Sequence, residues 1–282
     1  MFIKTDDIER LISEDMPYID LTCSLLGIQT QSTKIEYRTR EAGVVCGTEV
    51  VLKMFQQLGI TCLEMKPSGT KIAPNDLLIS GTGSAEAIHT VWKIAQNILD
   101  YSSGIASTIH KMAVVCANAP EKIALLTTRK NIPGTKSLAI AGIMAGGAMP
   151  HRLGLSETIL IFKQHRAFFK DDAALGAKIA EIKHLACEKR IVIEADNLEE
   201  ALRFAAMGAE IIQFDKVSLA DLKVAVPALK AQFPSIRILA AGGINPGNIA
   251  EFVTTGVNGI VTTAPYYAKA LDVKVDITPI ED

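Results

Sequence analysis

The 282-residue chain is poor in aromatic residues, has no excess charge of one sign, pairs none of its cysteines by spacing and contains no long apolar run. Each shortage excludes something. Aromatics make up 5% of the residues and apolar residues 49%, a balance that suits aliphatic strands packed in α/β layers. A net charge of −2 with scattered basic residues leaves no footprint for nucleic acid. The five cysteines, Cys23, Cys46, Cys62, Cys116 and Cys187, form no CxxC pair and no metal-ligand spacing, so they read as buried thiols of a reducing cytosol. The longest uncharged run, 137–150, is too short and glycine-rich to span a membrane, which takes about 20 apolar residues. The opening MFIKTDDIERL is charged and helical rather than a signal peptide, and the expectation is a cytoplasmic protein without membrane or nucleic-acid partners.

What is present centres on 236–263, IRILAAGGINPGNIAEFVTTGVNGIVTT. An apolar run ends in Gly242 and Gly243, a helical pattern follows, and a second apolar run ends in Thr262 and Thr263. Glycines at a strand end let backbone N–H groups approach an oxyanion, and a following helix adds partial positive charge. This predicts a phosphate cradle of the kind that α/β barrels build after their last strands; the plain alternative is a tight turn without a ligand. Upstream, six strands recur at barrel spacing: ALLTT (124–128), TILIF (158–162), RIVIEA (190–195), EIIQFD (210–215), IRILAA (236–241) and NGIVTT (258–263). Six are fewer than eight, so the barrel is read as incomplete. The segment before it mixes strand-like and helical stretches and reads as an α+β domain. In that segment, Gly81-Thr82-Gly83 reads as a turn feeding a helix at 84–101 rather than a dinucleotide fingerprint, and SSGIAS (102–107) separates that helix from a second at 107–118. The boundary is placed near 104, giving an N-terminal domain 1–104 and a barrel 105–269. The tail 270–282 contains ALDVKVDI, whose period-2 alternation predicts a strand returning to the N-terminal domain.

The C-terminal strand ends, where barrel enzymes place their chemistry, collect Arg129 and Lys130, then Lys163 and His165, then Glu194, Asp215, the two glycines and the two threonines. Glu194 and Asp215 are 21 residues apart, one βα repeat, and so stand on neighbouring strands. Such a pair can hold Mg²⁺ or accept hydrogen bonds from sugar hydroxyls, and with the cradle it points to a ribose-phosphate ligand; alone, each is an ordinary rim residue. His151 and Arg152, in GGAMPHRLGLSE (146–157), can grip an anion together.

The segments TTRKNIPGTK (127–136), PHRLGLSETILIF (150–162), IVIEADNLEEAL (191–202), IIQFD (211–215), AGGI (241–244), EDMPYIDLT (14–22) and REAGVVCG (40–47) resemble the quinolinate phosphoribosyltransferase family, also called nicotinate-nucleotide pyrophosphorylase. Through PHRLGLSETILIF and QHRAFF (164–169) the chain is most similar to its ModD-type branch, associated with molybdenum transport operons. The resemblance implies an N-terminal α+β sandwich followed by an incomplete TIM-like α/β barrel, an α/β protein overall. It implies Mg²⁺-dependent transfer of ribose 5-phosphate from phosphoribosyl pyrophosphate to a ring nitrogen. It also implies a homodimer or larger assembly, with each site completed by the neighbour's N-terminal domain. By position, Arg129, His151 and Arg152 resemble carboxylate-binding cations, Lys130 the lysine near the pyrophosphate, and Glu194 with Asp215 the acidic pair that holds ribose hydroxyls and metal. Two positions depart. The family's LQRLSG reads LDYSSG here, placing Tyr101 where a substrate-contacting arginine stands; IKDNH reads FKQH, placing Phe162 at a substrate lysine with Lys163 one step along. The acceptor implied is a heteroaromatic acid less anionic than quinolinate. The runner-up is a non-catalytic sugar-phosphate-binding or regulatory protein, against which the retained Arg129, Lys130, Glu194 and Asp215 argue. An isomerase or aldolase would want a Schiff-base lysine inside a strand, and none is there.

Overall fold

The computed structural model describes residues 3–281; the outermost residues of the N-terminal domain and C-terminal strand expected above lie outside the described residues. In chain order the first part runs α1 (Thr5–Asp15), α2 (Leu21–Leu26), β1 (Ser32–Thr39), β2 (Gly43–Val44), α3 (Thr48–Gln57), β3 (Thr61–Met65), β4 (Lys71–Ile72), β5 (Leu77–Ser84) and α4 (Ala85–Ala117). The second continues β6 (Ala124–Thr127), α5 (Lys136–Ala145), β7 (Met149–Pro150), β8 (Ile159–Ile161), α6 (Lys163–Arg166), α7 (Asp172–Leu185), β9 (Ile191–Ala195) and α8 (Leu198–Ala206). It ends with β10 (Ile211–Asp215), α9 (Leu219–Gln232), β11 (Arg237–Ala241), α10 (Ile249–Phe252), β12 (Gly259–Thr262) and β13 (Val273–Pro279). The chain forms two compact units, one of Met1–His110, Ile132–Gly147 and Pro265–Asp282, the other of Lys111–Asn131 and Ala148–Ala264.

The first unit holds a four-stranded antiparallel sheet in the order β13-β1-β5-β3 and a small β2-β4 ladder. Strand β1 alternates buried and half-exposed residues, burying Ile35 and Tyr37, as a sheet with one covered face requires. The tail strand β13 pairs with β1 from Thr33 opposite Pro279 to Thr39 opposite Val273. Against the covered face pack Val51, Met54 and Phe55 of α3 and Ile88, Val91, Ala95 and Leu99 of α4 in one apolar cluster. Gly81 and Gly83 lie within β5 and not in a turn: a Cβ on Gly81 would sit 2.7 Å from the Phe55 ring, so the glycine lets the helix approach the strand.

Helix α4 corrects a second expectation. The Ser-Ser-Gly step at 102–104 interrupts nothing, and one helix of 33 residues runs from Ala85 to Ala117. Serine and glycine are weak helix formers, but here packing outweighs propensity. The Ser103 hydroxyl accepts from the Cys46 amide at 2.9 Å, and the Ser107 hydroxyl accepts from Val44 at the same distance. Gly104 lies under the 269–271 backbone, and Gly142 and Gly146 on α5 abut Ser102, Ile105, Ala106 and Ile109 of α4. Small residues at these positions let backbone meet backbone.

The second unit is a seven-stranded, all-parallel sheet in the order β7-β6-β12-β11-β10-β9-β8. Its strands are near-continuous apolar runs because helices cover one face and the curled interior the other. Six strands are those legible in the sequence. The seventh, Met149–Pro150, has two residues, too few to show a period. The curl has a direct signature: Arg152 follows one edge strand and Phe162 the other, yet the guanidinium carbon lies 5.7 Å from the ring centroid. The sheet therefore bends until the loops at its edges meet, an incomplete barrel. No described helix is long and apolar enough to cross a membrane.

Gly104→Ala tests the packing account of α4. Propensity alone gains up to about 1 kcal/mol for alanine in a helix. The new Cβ would stand 2.5 Å from the Lys269 carbonyl oxygen and 3.0 Å from the Ala270 Cα, backbone atoms that cannot swing aside. Overpacking of this kind costs about 1–3 kcal/mol, so urea denaturation should show net destabilisation. A stabilised variant would mean that the contact yields freely.

Candidate active site

The parallel sheet orders the candidate residues along its C-terminal rim without further assumptions. Reading across the strand order, His151 and Arg152 follow β7, Arg129 and Lys130 follow β6, and Thr262 and Thr263 close β12. Gly242 and Gly243 then follow β11, Asp215 ends β10, Glu194 lies one residue from the end of β9, and Phe162 and Lys163 follow β8. One arc of the rim is cationic and the other anionic, with the glycine loop between them.

In the cationic arc Arg152 is only 8% exposed, and it feels the positive charge of Arg129 as well as the opposing charge of Glu157. The His151 amide donates to the Thr127 carbonyl at 2.9 Å, and burial, reinforced by the Arg152 charge, pushes its imidazole below the usual histidine range. At neutral pH it is an uncharged donor and acceptor beside the Arg152 guanidinium. Lys130 is exposed, and its amide donates to the Thr128 hydroxyl.

In the anionic arc, desolvation by burial and then the charges of Asp215 and Asp196 push Glu194 above the usual carboxylate range. Gln213, two residues before Asp215, donates weakly to the Glu194 carboxylate at 3.5 Å, while its own buried Oε1 has no partner among the described residues. Arg166 holds Glu200 at 3.2 Å, lies 4.6 Å over the Phe204 ring and adds a favourable charge toward Glu194. Neither Gln213 nor Arg166 was singled out by sequence. The available signal for Gln213 was a lone amide inside an otherwise apolar buried strand.

The loop between the arcs is tightly built. Gly242 has φ +95° and abuts Lys216, so that a Cβ would lie 2.7 Å from the Lys216 nitrogen; Gly243 has φ +71° and faces open space. Amides of Asn245 and Asn248 both donate to the Gly243 carbonyl at 3.1 Å. The Thr262 hydroxyl, buried, donates to the Ile244 carbonyl at 2.6 Å and accepts from the Ala264 amide, fastening this loop to the end of β12. Thr263 pairs with Thr128 at 2.9 Å. The helix after the glycines is shorter than its pattern suggested, four residues followed by a 3₁₀ turn at Val253–Thr255, so the loop amides rather than a helix dipole are what the cradle offers.

The two departing positions have defined settings. Phe162 caps α6, stacks on His165 at 5.7 Å and meets Arg152 with its face. Lys163 points to solvent and pairs with Asp196 at 3.5 Å. Tyr101, in the first unit, shares a 2.9 Å hydrogen bond between its phenol and the Thr135 hydroxyl.

A parallel half-barrel whose rim joins paired carboxylates, a glycine loop and a cluster of cations defines an α/β enzyme of the phosphoribosyl-transferring class. Family models sharpen this: residues 20–103 match the N-terminal domain and residues 105–276 the C-terminal domain of quinolinate phosphoribosyl transferase. The chain belongs to that family. A Pasteurella multocida protein bearing the provisional name pyrophosphorylase ModD is 32% identical over 98% of both chains. The nicotinate-nucleotide pyrophosphorylase [carboxylating] of Mycobacterium leprae is 28% identical over 96% of both. Among solved structures, the nicotinate-nucleotide pyrophosphorylase of Francisella tularensis superposes with a TM-score of 0.88 at 25% identity, covering 98% of each chain. The protein is thus a ModD-like pentosyltransferase with the fold expected from its strands.

The strain in the anionic arc is measurable. A carboxyl whose folded pKa is raised stabilises the fold fully at low pH and loses that contribution as pH rises through the folded value. Glu194→Gln should therefore leave stability unchanged below about pH 4 and raise it near pH 8, by about 1 kcal/mol once solvent screening is allowed for. Thermal melts across pH check this; a variant less stable at pH 8 than at pH 4, relative to the parent, contradicts it.

Proposed function

We propose that the protein transfers ribose 5-phosphate from phosphoribosyl pyrophosphate to a ring nitrogen of a heteroaromatic acid that carries less negative charge than quinolinate. The observation that carries this reading is the division of one rim into a cationic and an acidic arc across a glycine loop, matching a substrate with a diphosphate at one end and a ribose at the other. Mg²⁺ suits the donor set. Glu194 and Asp215 offer hard oxygen ligands, and their mutual repulsion, with an unpartnered Gln213 oxygen beside them, is what a cation would relieve. Bound there, it would neutralise diphosphate charge.

The chain's own residues supply the rest. Lys130 attracts the diphosphate, Arg129, His151 and Arg152 face an acceptor carboxylate and a leaving phosphate, and the Gly242–Gly243 loop offers amides to a phosphate. The acceptor's ring nitrogen donates its lone pair to the anomeric carbon while the bond from that carbon to pyrophosphate oxygen breaks. Positive charge grows on the ribose as this happens, and fixed carboxylates at Glu194 and Asp215 stabilise it without reorganising. His151, uncharged, accepts or donates without adding another repelling charge.

Phe162 supports the choice of acceptor. A dicarboxylate brings two charges into a partly dry site, and each needs a cation or several donors. Arg152 faces the Phe162 ring and can serve one carboxylate; a phenyl ring cannot serve the second. Family resemblance supports a homodimer whose partner contributes Tyr101 to the site. The exposed apolar run of Tyr18, Ile19, Leu21, Leu25 and Leu26 suits burial against a second copy. The resemblance to ModD proteins also supports a role linked to molybdenum transport in the cytoplasm.

Two experiments test this. Saturating phosphoribosyl pyrophosphate with Mg²⁺ should raise the melting temperature, because a ligand that binds only the folded state stabilises it, and Asp215→Asn should shrink the shift. No shift in either form refutes the sugar-phosphate site. Pyrophosphate release should be about a thousandfold slower, as kcat/KM, with quinolinate than with a mono-acidic heteroaromatic, taking about 2 kcal/mol for each of two lost contacts. Tyr101→Arg with Phe162→Lys should narrow the gap, and family-like turnover of quinolinate by the unaltered protein would sink the proposal.

A further inference from the structure

Outside the rim, one cluster in the first unit brings together three different metal-ligating side chains. One donor atom each of Asp20, Cys23 and His89 lies within 4.8 Å of the other two. Asp20 precedes α2 and Cys23 lies in its first turn, while His89 comes from the start of α4, so two separate elements converge. Cys23 is 1% exposed, and Asp20 and His89 are half-buried, which leaves a way in from solvent.

Asp20 and His89 are each held in place through one side-chain atom. Asp20 accepts from the Cys23 amide through Oδ1 at 2.9 Å, and its carboxylate also accepts from the Cys23 thiol. The His89 Nδ1 lies 2.7 Å from the Ala85 carbonyl, which selects the tautomer with a proton on Nδ1 and the lone pair on Nε2. A backbone carbonyl holding the far nitrogen of a histidine is the usual outer support of a metal-ligating imidazole. Capping of α2 explains Asp20 alone. Neither that cap nor the thiol's hydrogen bond to the carboxylate requires an imidazole brought from α4.

We propose that Asp20, Cys23 and His89 form a Zn²⁺-class site, with carboxylate, thiolate and imidazole as three ligands and water as the fourth. Softness selects the class: a thiolate with an imidazole favours zinc over magnesium or calcium. Bonds of about 2.0–2.3 Å in a tetrahedral centre set donors roughly 3.3–3.8 Å apart, so the three groups need to close by about 1.5 Å at most. On binding, the sulfur–metal bond replaces the sulfur–hydrogen bond and the proton passes to water. Because the ligands are side chains of one compact unit, this site is independent of the phosphoribosyl reading.

The chain carries its own reporter. Its only tryptophan, Trp92, stands edge-to-face with His89 at 6.0 Å between ring centroids. Co²⁺ added to the purified, chelator-treated protein in excess Mg²⁺, which occupies oxygen-only sites, should quench Trp92 fluorescence saturably at one equivalent. A thiolate-to-cobalt absorption band should grow in parallel, and Zn²⁺ should reverse both. Cys23→Ser should abolish the band, and His89→Gln should weaken Co²⁺ at least tenfold, with circular dichroism reporting that each variant is folded. If Cys23→Ser fails to fold, the His89→Gln titration decides. Absence of saturable quenching overturns the proposal. So does a band that survives Cys23→Ser, or one that disappears in Cys187→Ser, since Cys187 is the exposed thiol.

Discussion

Like-charge repulsion at one end of a parallel sheet is the constraint on which the proposed chemistry rests. Arg152 is nearly buried beside Arg129 and His151, and Glu194 is half-buried between Asp215 and Asp196. Neither arc neutralises the other, because the glycine loop after β11 and the threonine-lined end of β12 stand between them in the strand order. Charge that is only partly compensated lowers stability, and folded proteins keep it where a ligand of opposite charge will arrive. The strands hold the charges apart because Asp215 and Glu194 belong to neighbouring β10 and β9, paired in register through Gln213 opposite Glu194.

Contacts across the fold tie that rim to its scaffold. Thr262 fastens the glycine loop to its neighbouring strand, and the curl of the sheet sets Phe162 against Arg152 from the opposite edge. In the first unit, close backbone approach at Gly104, Gly142 and Gly146 lets one unbroken helix lie under β13's lead-in and against α5. On the proposed reading, a ring in place of a cation at Phe162 narrows what the rim accepts and leaves the scaffold as it is.

Much of this was legible in the sequence, for physical reasons. Parallel strands buried on both faces advertise themselves as apolar runs, and six of seven were visible; the two-residue β7 leaves no periodic trace. Residues at strand ends could be assigned to one rim because parallel connectivity forces every C-terminal end to the same side. The Ser-Ser-Gly step misled because propensity is local whereas the Ser103–Cys46 bond and the Gly104 contact are not. The glycines of β5 misled for the same reason: the Phe55 ring that demands Gly81 lies far away in sequence. Gln213 and Arg166 escaped because their roles depend on cross-strand and helix contacts. The Asp20, Cys23 and His89 cluster escaped because its members show no ligand spacing along the chain.

The most direct test of the central claim is the titration of the Glu194 side-chain carboxyl, followed by carbon-13 NMR in the free protein and with Mg²⁺ and phosphoribosyl pyrophosphate, and assigned by its loss in Glu194→Gln. The account predicts titration above the usual carboxylate range in the free protein and a downward shift when the ligands bind, as a cation offsets the repelling neighbours. An ordinary titration, unmoved by the ligands, would contradict it.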